Sequence, residues 1–169
     1  LEMIQLWVNL PAADKMTPPS YQGITREQIP VVPLDGGKGE IRVIAGDYQG
    51  HKGPARTFSP MLVWDVTVQA HANVVLDVPD GWNTAVIARS GSTLINEHAR
   101  TAAGQMVVLS AQGGHVHIQA EADSQLLLIA GEPLNEPIEG YGPFVMNTKE
   151  EIRQAIRDFQ QGDFGKMSS

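Results

Sequence analysis

Along most of this chain, hydrophobic and polar residues alternate in short runs. Leu62, Trp64, Val66 and Val68 fall on one side of an extended segment, and Val63, Asp65, Thr67 and Gln69 on the other. That two-residue period is the mark of a half-buried strand. The same reading predicts strands over 4–10, 41–45, 61–69, 73–78, 83–89, 92–96, 105–110, 115–120 and 125–130. In the first of these, Leu6, Val8 and Leu10 oppose Gln5, Trp7 and Asn9. Turn residues separate the runs: Pro79-Asp80-Gly81, Ser90-Gly91-Ser92 (read as a hairpin), Ala103-Gly104 and Gln112-Gly113-Gly114.

Two segments break the alternation. Leu126 to Ala130 is uncharged and apolar throughout, the pattern of a strand buried on both faces. Gly131, Pro133 and Pro137 end it, because proline lacks the amide hydrogen that a ladder needs. Gly142-Pro143 then predicts an extended connection. Thr148 and Glu151 have the spacing of a capping box, in which each side chain bonds the other residue's main chain. Ile152, Ala155, Ile156 and Phe159 follow at the helical spacing, and Gly162 stands where a left-handed cap would fall. The expectation is an all-β barrel or sandwich followed by one C-terminal α-helix, from about Lys149 to Gln160.

At 169 residues the chain is long enough for one domain with a real core. Its net charge of −7 and pI near 5.1 argue against direct binding to nucleic acid, which calls for a basic stripe. With no cysteine, disulfides and thiolate metal sites are excluded, and a reducing cytoplasm is the expected location. No apolar run approaches the ~20 residues of a membrane-spanning helix, so no membrane partner is expected.

Most candidate chemistry reads as ordinary structure. Asp35-Gly36-Gly37-Lys38-Gly39 resembles a phosphate loop, but a strand follows it, so the helix N-terminus that would face a phosphate is missing. His51, His71 and His98 sit in loops or turns and read as surface residues. No serine stands in a Gly-x-Ser-x-Gly elbow, and Asp65, Asp77 and Glu121 show no pairing. Trp64 and Trp82 read as core and barrel-rim aromatics. No catalytic and no cofactor-binding residue is expected. His115-Val116-His117 is the sharpest local motif: on a strand both imidazoles and Gln119 share one face. Two such imidazoles hold a divalent metal only if neighbouring strands add ligands; otherwise they face solvent or a polar barrel mouth.

Several longer strings carry a family resemblance. Leu6-Trp7-Val8-Asn9-Leu10-Pro11, Tyr21-Gln22, Gly81-Trp82, Ile129-Ala130-Gly131-Glu132-Pro133-Leu134 and Gly142-Pro143-Phe144-Val145-Met146-Asn147-Thr148 resemble the second half of pirin-family proteins, nearly end to end. The resemblance implies a bicupin: two cupin barrels (double-stranded β-helix, jelly-roll-like) face each other, with a helix after the second. It divides this chain into a linker strand and irregular segment at 1–35, the C-terminal cupin barrel at 36–146, and the terminal helix and tail at 147–169.

The resemblance also places iron in the first, N-terminal barrel. Its ligands there are a His-x-His pair ahead of a Gly-Phe-Glu-Thr string, with a later histidine and glutamate. The family's quercetin-type ring opening and its role as a transcription cofactor depend on that site. Here Gly81-Trp82-Asn83-Thr84 is similar to that string, which sets the histidine pair at Asp77 and Pro79 and the adjacent glutamate at Asn83. Gly114 to Gln119 is similar to the later string, with His117 on the histidine and Gln119 on the glutamate. One ligand of four survives. No metal is expected in this chain, and the weak candidates for one are His115, His117 and Asp77.

Three readings follow. The first is a metal-free cupin with a structural or protein-interaction role, not catalytic alone. The second is a part of an iron-dependent quercetin-type dioxygenase whose metal lies in an N-terminal cupin half. The third is a stand-alone metal-binding cupin. The expected association is a homodimer, because the face turned to the first barrel and the helix stripe both need cover; the N-terminal half or another protein partner would serve the same need.

Overall fold

The alternating runs become sheets because each strand finds neighbours for its main-chain groups and turns its apolar side inward. The computed structural model describes residues 3–165. Its strands are β1 (Val31–Pro33), β2 (Gly39–Ala45), β3 (Asp47–Tyr48), β4 (His51–Lys52), β5 (Met61–Val68), β6 (Asn73–Asp77) and β7 (Asn83–Ser90). They continue with β8 (Ser92–Ile95), β9 (Ala99–Ala102), β10 (Met106–Val108), β11 (His115–Ala120), β12 (Ser124–Gly131), β13 (Glu139–Tyr141) and β14 (Phe144–Met146). One α-helix, α1 (Lys149–Gln161), follows.

The chain divides into two compact units. Ile24–Pro133 forms the barrel unit; residues 3–23 and 134–165 form the terminal unit. In the barrel unit a six-stranded antiparallel sheet runs β1-β2-β5-β12-β7-β10, and a four-stranded one runs β6-β11-β8-β9. Their inward residues share one core: Trp64, Val66, Val86, Leu126 and Leu128 from the first sheet, and Leu76, Ile95, Val116 and Ile118 from the second. β12 lies between β5 and β7, so its outward-facing Leu127 is also buried, as the unbroken apolar run predicts.

Ser90-Gly91-Ser92 is not a hairpin. β7 and β8 belong to different sheets, and Gly91 is the single residue between them. Its φ is +80°, and a Cβ there would sit 2.2 Å from Ser124 Oγ and 2.4 Å from the Asp123 carbonyl oxygen. Glycine is required for both reasons.

In the terminal unit β13 and β14 form a two-stranded hairpin with Gly142 in its turn at φ +57°, so Gly142-Pro143 turns the chain instead of extending it. The Thr148 hydroxyl accepts from the Glu151 N–H at 3.2 Å, Glu151 Oε2 accepts from the Thr148 N–H at 2.8 Å, and Gly162 caps α1 at φ +80°. Ile152 and Ala155 are buried; Phe159 is 63% exposed and meets the rings of Phe144 and Phe164 edge-on. The linker strand expected at 4–10 is not formed: these residues carry no strand, and Leu6, Trp7 and Val8 are exposed. Alternation makes a strand only where another strand accepts its main-chain bonds.

Candidate functional site

β11 rises from the Gly113-Gly114 turn and alternates strictly. Val116, Ile118 and Ala120 face the core, so His115 and His117 stand exposed on the opposite face and Gln119 beside them half-buried. Antiparallel pairing with β6 puts His115 across from Asp77, His117 across from Val75 and Gln119 across from Asn73. His115 Nδ1 lies 2.7 Å from Asp77 Oδ1, with the side chains 63% and 85% exposed. A contact so open to water contributes little to stability.

His117 is held through its main chain. Its N–H donates to Asn96 Oδ1 at 2.8 Å, and its carbonyl accepts from the Asn96 N–H at 2.9 Å. Asn96 and Glu97 both have positive φ, 48° and 63°, and with His98 they make the three-residue turn between β8 and β9. Asn96 and Glu97, the two glycines and the two histidines line a shallow cleft of about 370 Å³. So the structure brings Asp77 to His115 and places His117 one pair further along the same face. Among the described residues no three His, Asp or Glu side chains gather as a metal group.

The positions that the resemblance assigns to iron do not fit that ion. Pro79 has no donor atom, and Asp77, His117 and Gln119 belong to the outer face of the four-stranded sheet. Inside, the barrel is filled with Val, Leu and Ile side chains. The buried polar side chains among the described residues are hydroxyls, on Thr84, Thr93, Thr101 and Ser124. An iron centre calls for imidazole and carboxylate ligands.

The other candidates are dispersed, each with its own neighbours. Asp65 pairs with Arg89 at 2.8 Å; Glu121 meets Arg100 at 2.7 Å and accepts from the Ser92 hydroxyl at 2.6 Å. His51 is exposed on β4, His71 occupies a turn at φ +64°, and His98 closes the β8–β9 turn by donating its N–H to the Ile95 carbonyl at 3.1 Å. Trp64 is a core residue, 1% exposed, with its ring edge-on to Tyr48 at 5.1 Å. Trp82 is half-buried and packs against the core from the rim.

Sequence reasoning missed a larger feature. Between β2 and β5 the chain makes an excursion, and with Met61, Leu62, Val78 and Trp82 it encloses an open cleft of about 850 Å³. Tyr48, 9% exposed, lies on that excursion, and burial raises its phenol above the ordinary value of 10.0, with the charges of Asp35 and Asp77 adding to the effect. The signal in the sequence was the glycine spacing, Gly46, Gly50 and Gly53, around a short charged ribbon.

The two-sheet β-body with its packed interior is a cupin. Residues 63–165 match the family described as Pirin C-terminal cupin domain, and the chain belongs to the pirin family. A Pseudomonas aeruginosa protein named "Putative quercetin 2,3-dioxygenase" is 49% identical over 164 residues, covering 97% of this chain and 57% of that protein. Human pirin is 36% identical over 166 residues, covering 96% of this chain and 57% of its own length. A solved structure of quercetin 2,3-dioxygenase from Acinetobacter baumannii superposes with a TM-score of 0.89 at 47% identity, over 95% of this chain and 56% of that one. The chain thus spans little more than half the length of these relatives. Among the described residues no helix is long and apolar enough to cross a membrane.

Proposed function

We propose that this chain is a pirin-like C-terminal cupin that carries no metal, acts structurally and through protein contacts, and does not catalyse alone. The observation that supports this most is the hydrocarbon filling of the barrel, with His115, His117 and Asp77 on its outer face. The test is direct. Protein stripped with chelator and dialysed against iron is expected to retain less than one equivalent, with no turnover of quercetin. Stoichiometric iron that is lost on His117→Ala overturns the reading and favours a stand-alone metal site at His115, His117 and Asp77.

A second reading draws on the relatives' names. In it, the chain is the wall-forming part of an iron-dependent quercetin-type dioxygenase whose metal lies in an N-terminal cupin half. The 49% identity to the Pseudomonas aeruginosa protein favours it. Sequence ahead of Met3 in the same gene that encodes a second barrel with a His-x-His…His…Glu set supports this reading; its absence removes it.

The partner we propose is a second copy. Trp7, Ile138, Tyr141 and Phe159 are each more than 60% exposed, and a second copy laid over them would take that apolar surface out of water. A stable dimer buries on the order of 800 Å² per chain. Light scattering at micromolar concentration is expected to give a dimeric mass that falls on dilution; a constant monomeric mass rejects the dimer.

A further inference from the structure

The cleft beside the β3–β4 ribbon is built by two close backbone approaches. The Gly53 N–H donates to the Gly46 carbonyl at 2.8 Å, and the Ala55 N–H to the Ile44 carbonyl at 3.1 Å, so the excursion is pinned to the end of β2. A Cβ on Gly46 would lie 2.5 Å from both the Met61 carbonyl oxygen and Leu62 Cδ2, and one on Gly53 would lie 2.5 Å from the Ile44 carbonyl carbon. Neither glycine accepts a side chain without lifting the ribbon from the sheet. The wall is therefore fixed by main-chain geometry, and a preformed wall spares a ligand the cost of ordering it.

The lining is apolar below and charged at the edge. Leu62 and Val78 are buried beneath it, and the half-buried indole of Trp82 offers a flat face. Its two carboxylates are already engaged: Asp47 Oδ1 accepts from the Gly50 N–H at 2.9 Å, and Asp77 Oδ1 holds His115 at 2.7 Å. Lys52 stands across the ribbon from Asp47, exposed, and among the described residues its ammonium makes no hydrogen bond or ion pair. A cleft of about 850 Å³ lies within the span of roughly 300–1,000 Å³ typical of small-molecule sites.

We propose that this cleft binds a small planar aromatic carboxylate, with the ring over Trp82 and the buried aliphatic floor and the carboxylate on Lys52. The ring's area supplies affinity by displacing water from Leu62, Val78 and Trp82. The ammonium supplies orientation and preference for an anion, since a hydrogen bond to a charged partner is stronger than a neutral one. No metal takes part, so the site stands or falls separately from the iron reading.

Calorimetric titration of the full chain in excess chelator tests this, with 2-naphthoate as the anionic probe and 2-naphthamide as its neutral counterpart. The expected result is one-to-one binding of naphthoate, roughly tenfold tighter than the amide. Lys52→Met should bring the two probes closer, Arg56 being the other cation of the lining, and because Lys52 is exposed and unbonded this variant keeps its fold by circular dichroism. Trp82→Leu should weaken both probes alike. No saturable heat with either probe, a stoichiometry well above one, or a preference that Lys52→Met leaves undiminished overturns the proposal. If Trp82→Leu fails to fold, the Lys52 variant decides alone.

Discussion

In the barrel unit, Trp64, Val66, Val86, Leu126 and Leu128 are all but sealed from solvent. Residues 3–23 and 134–165 bury Ile152 and Ala155 but leave Trp7, Met16, Ile138, Tyr141 and Phe159 open. Their polar contacts differ in the same sense. The barrel strands are tied by ladders between main chains. In the terminal unit side chains do much of the joining: Glu136 Oε2 accepts from the Ala12 N–H at 2.8 Å and from Asn147 Nδ2 at 3.1 Å, and Lys15 Nζ donates to Asn9 Oδ1 at 2.6 Å. One unit is held by excluded water and the other by a few directed bonds, of which the one from Ala12 to Glu136 joins its two chain segments across 124 positions. The first should resist local damage until its core is touched, and the second should loosen one bond at a time.

The largest effect tests the core. Leu128 is fully buried on the central strand, so Leu128→Ala should cost about 2–5 kcal/mol in denaturant unfolding followed by circular dichroism. Phe159→Ala removes a side chain of similar bulk from the terminal unit but one that is 63% exposed, and should cost at most about 1 kcal/mol. Equal losses would erase the contrast between the units. Gly91→Ala comes next, at roughly 1–3 kcal/mol for the left-handed backbone, with the close contact to Ser124 adding to it. If Gly91→Ala unfolds at the wild-type midpoint, the crossing between sheets is not fixed by this residue.

The same division governs how much the sequence discloses. Strands over 61–68 and 115–120 are legible because a two-residue period repeats in them, 124–131 because its apolar run is unbroken, 83–90 because turn residues bound it, and the helix because its cap residues and stripe agree. β1, β3, β4 and β9 are two to four residues long, too short for any period: β1 forms on the edge of the longer β2, β9 against the equally short β8, and β3 and β4 only against each other. Residues 4–10 fail in the opposite sense: the alternation is present but no strand lies beside them. For the site, the shared face of His115 and His117 follows from spacing, and their exposure does not, since alternation tells which residues agree without telling which side is the core. The 850 Å³ cleft depends on where an excursion folds back, a property of distant backbone that no local pattern carries.

Within the terminal unit, Glu136→Ala should cost about 1–2 kcal/mol, because its carboxylate serves both the Ala12 N–H and the Asn147 amide. The loss should show as faster amide exchange in residues 12–17 and 144–151, with barrel amides unchanged. Faster exchange throughout Ile24–Pro133 would mean that the two units unfold together. Thr148→Ala is smaller, about 1 kcal/mol for one helix cap, and should fray the first turn of α1 while Glu151 still bonds the main chain. Helical circular dichroism that melts at the wild-type temperature would show that the cap contributes nothing.

The smallest effect lies back in the barrel unit, where one titrating group sits among hydrocarbon. Burial first, and the charges of Asp35 and Asp77 after it, keep the Tyr48 phenol protonated beyond its ordinary value of 10.0. The unfolded chain releases that proton earlier, so above pH 10 the native state binds more protons than the unfolded one. Stability therefore has Tyr48's full contribution below pH 10 and loses it as the pH rises through the native value. Alkaline titration of tyrosinate absorbance should show a late-ionising fraction that vanishes in Tyr48→Phe, and the same variant should flatten the loss of stability above pH 10. The ring can stay edge-on to Trp64 in the variant, so the hydrocarbon packing is kept, and what is lost is the hydroxyl with its 3.5 Å contact from Gln49 Nε2. If the fraction that Tyr48→Phe removes titrates together with the other tyrosines and not after them, water reaches this phenol freely, and the barrel's seal is open on the side of the cleft.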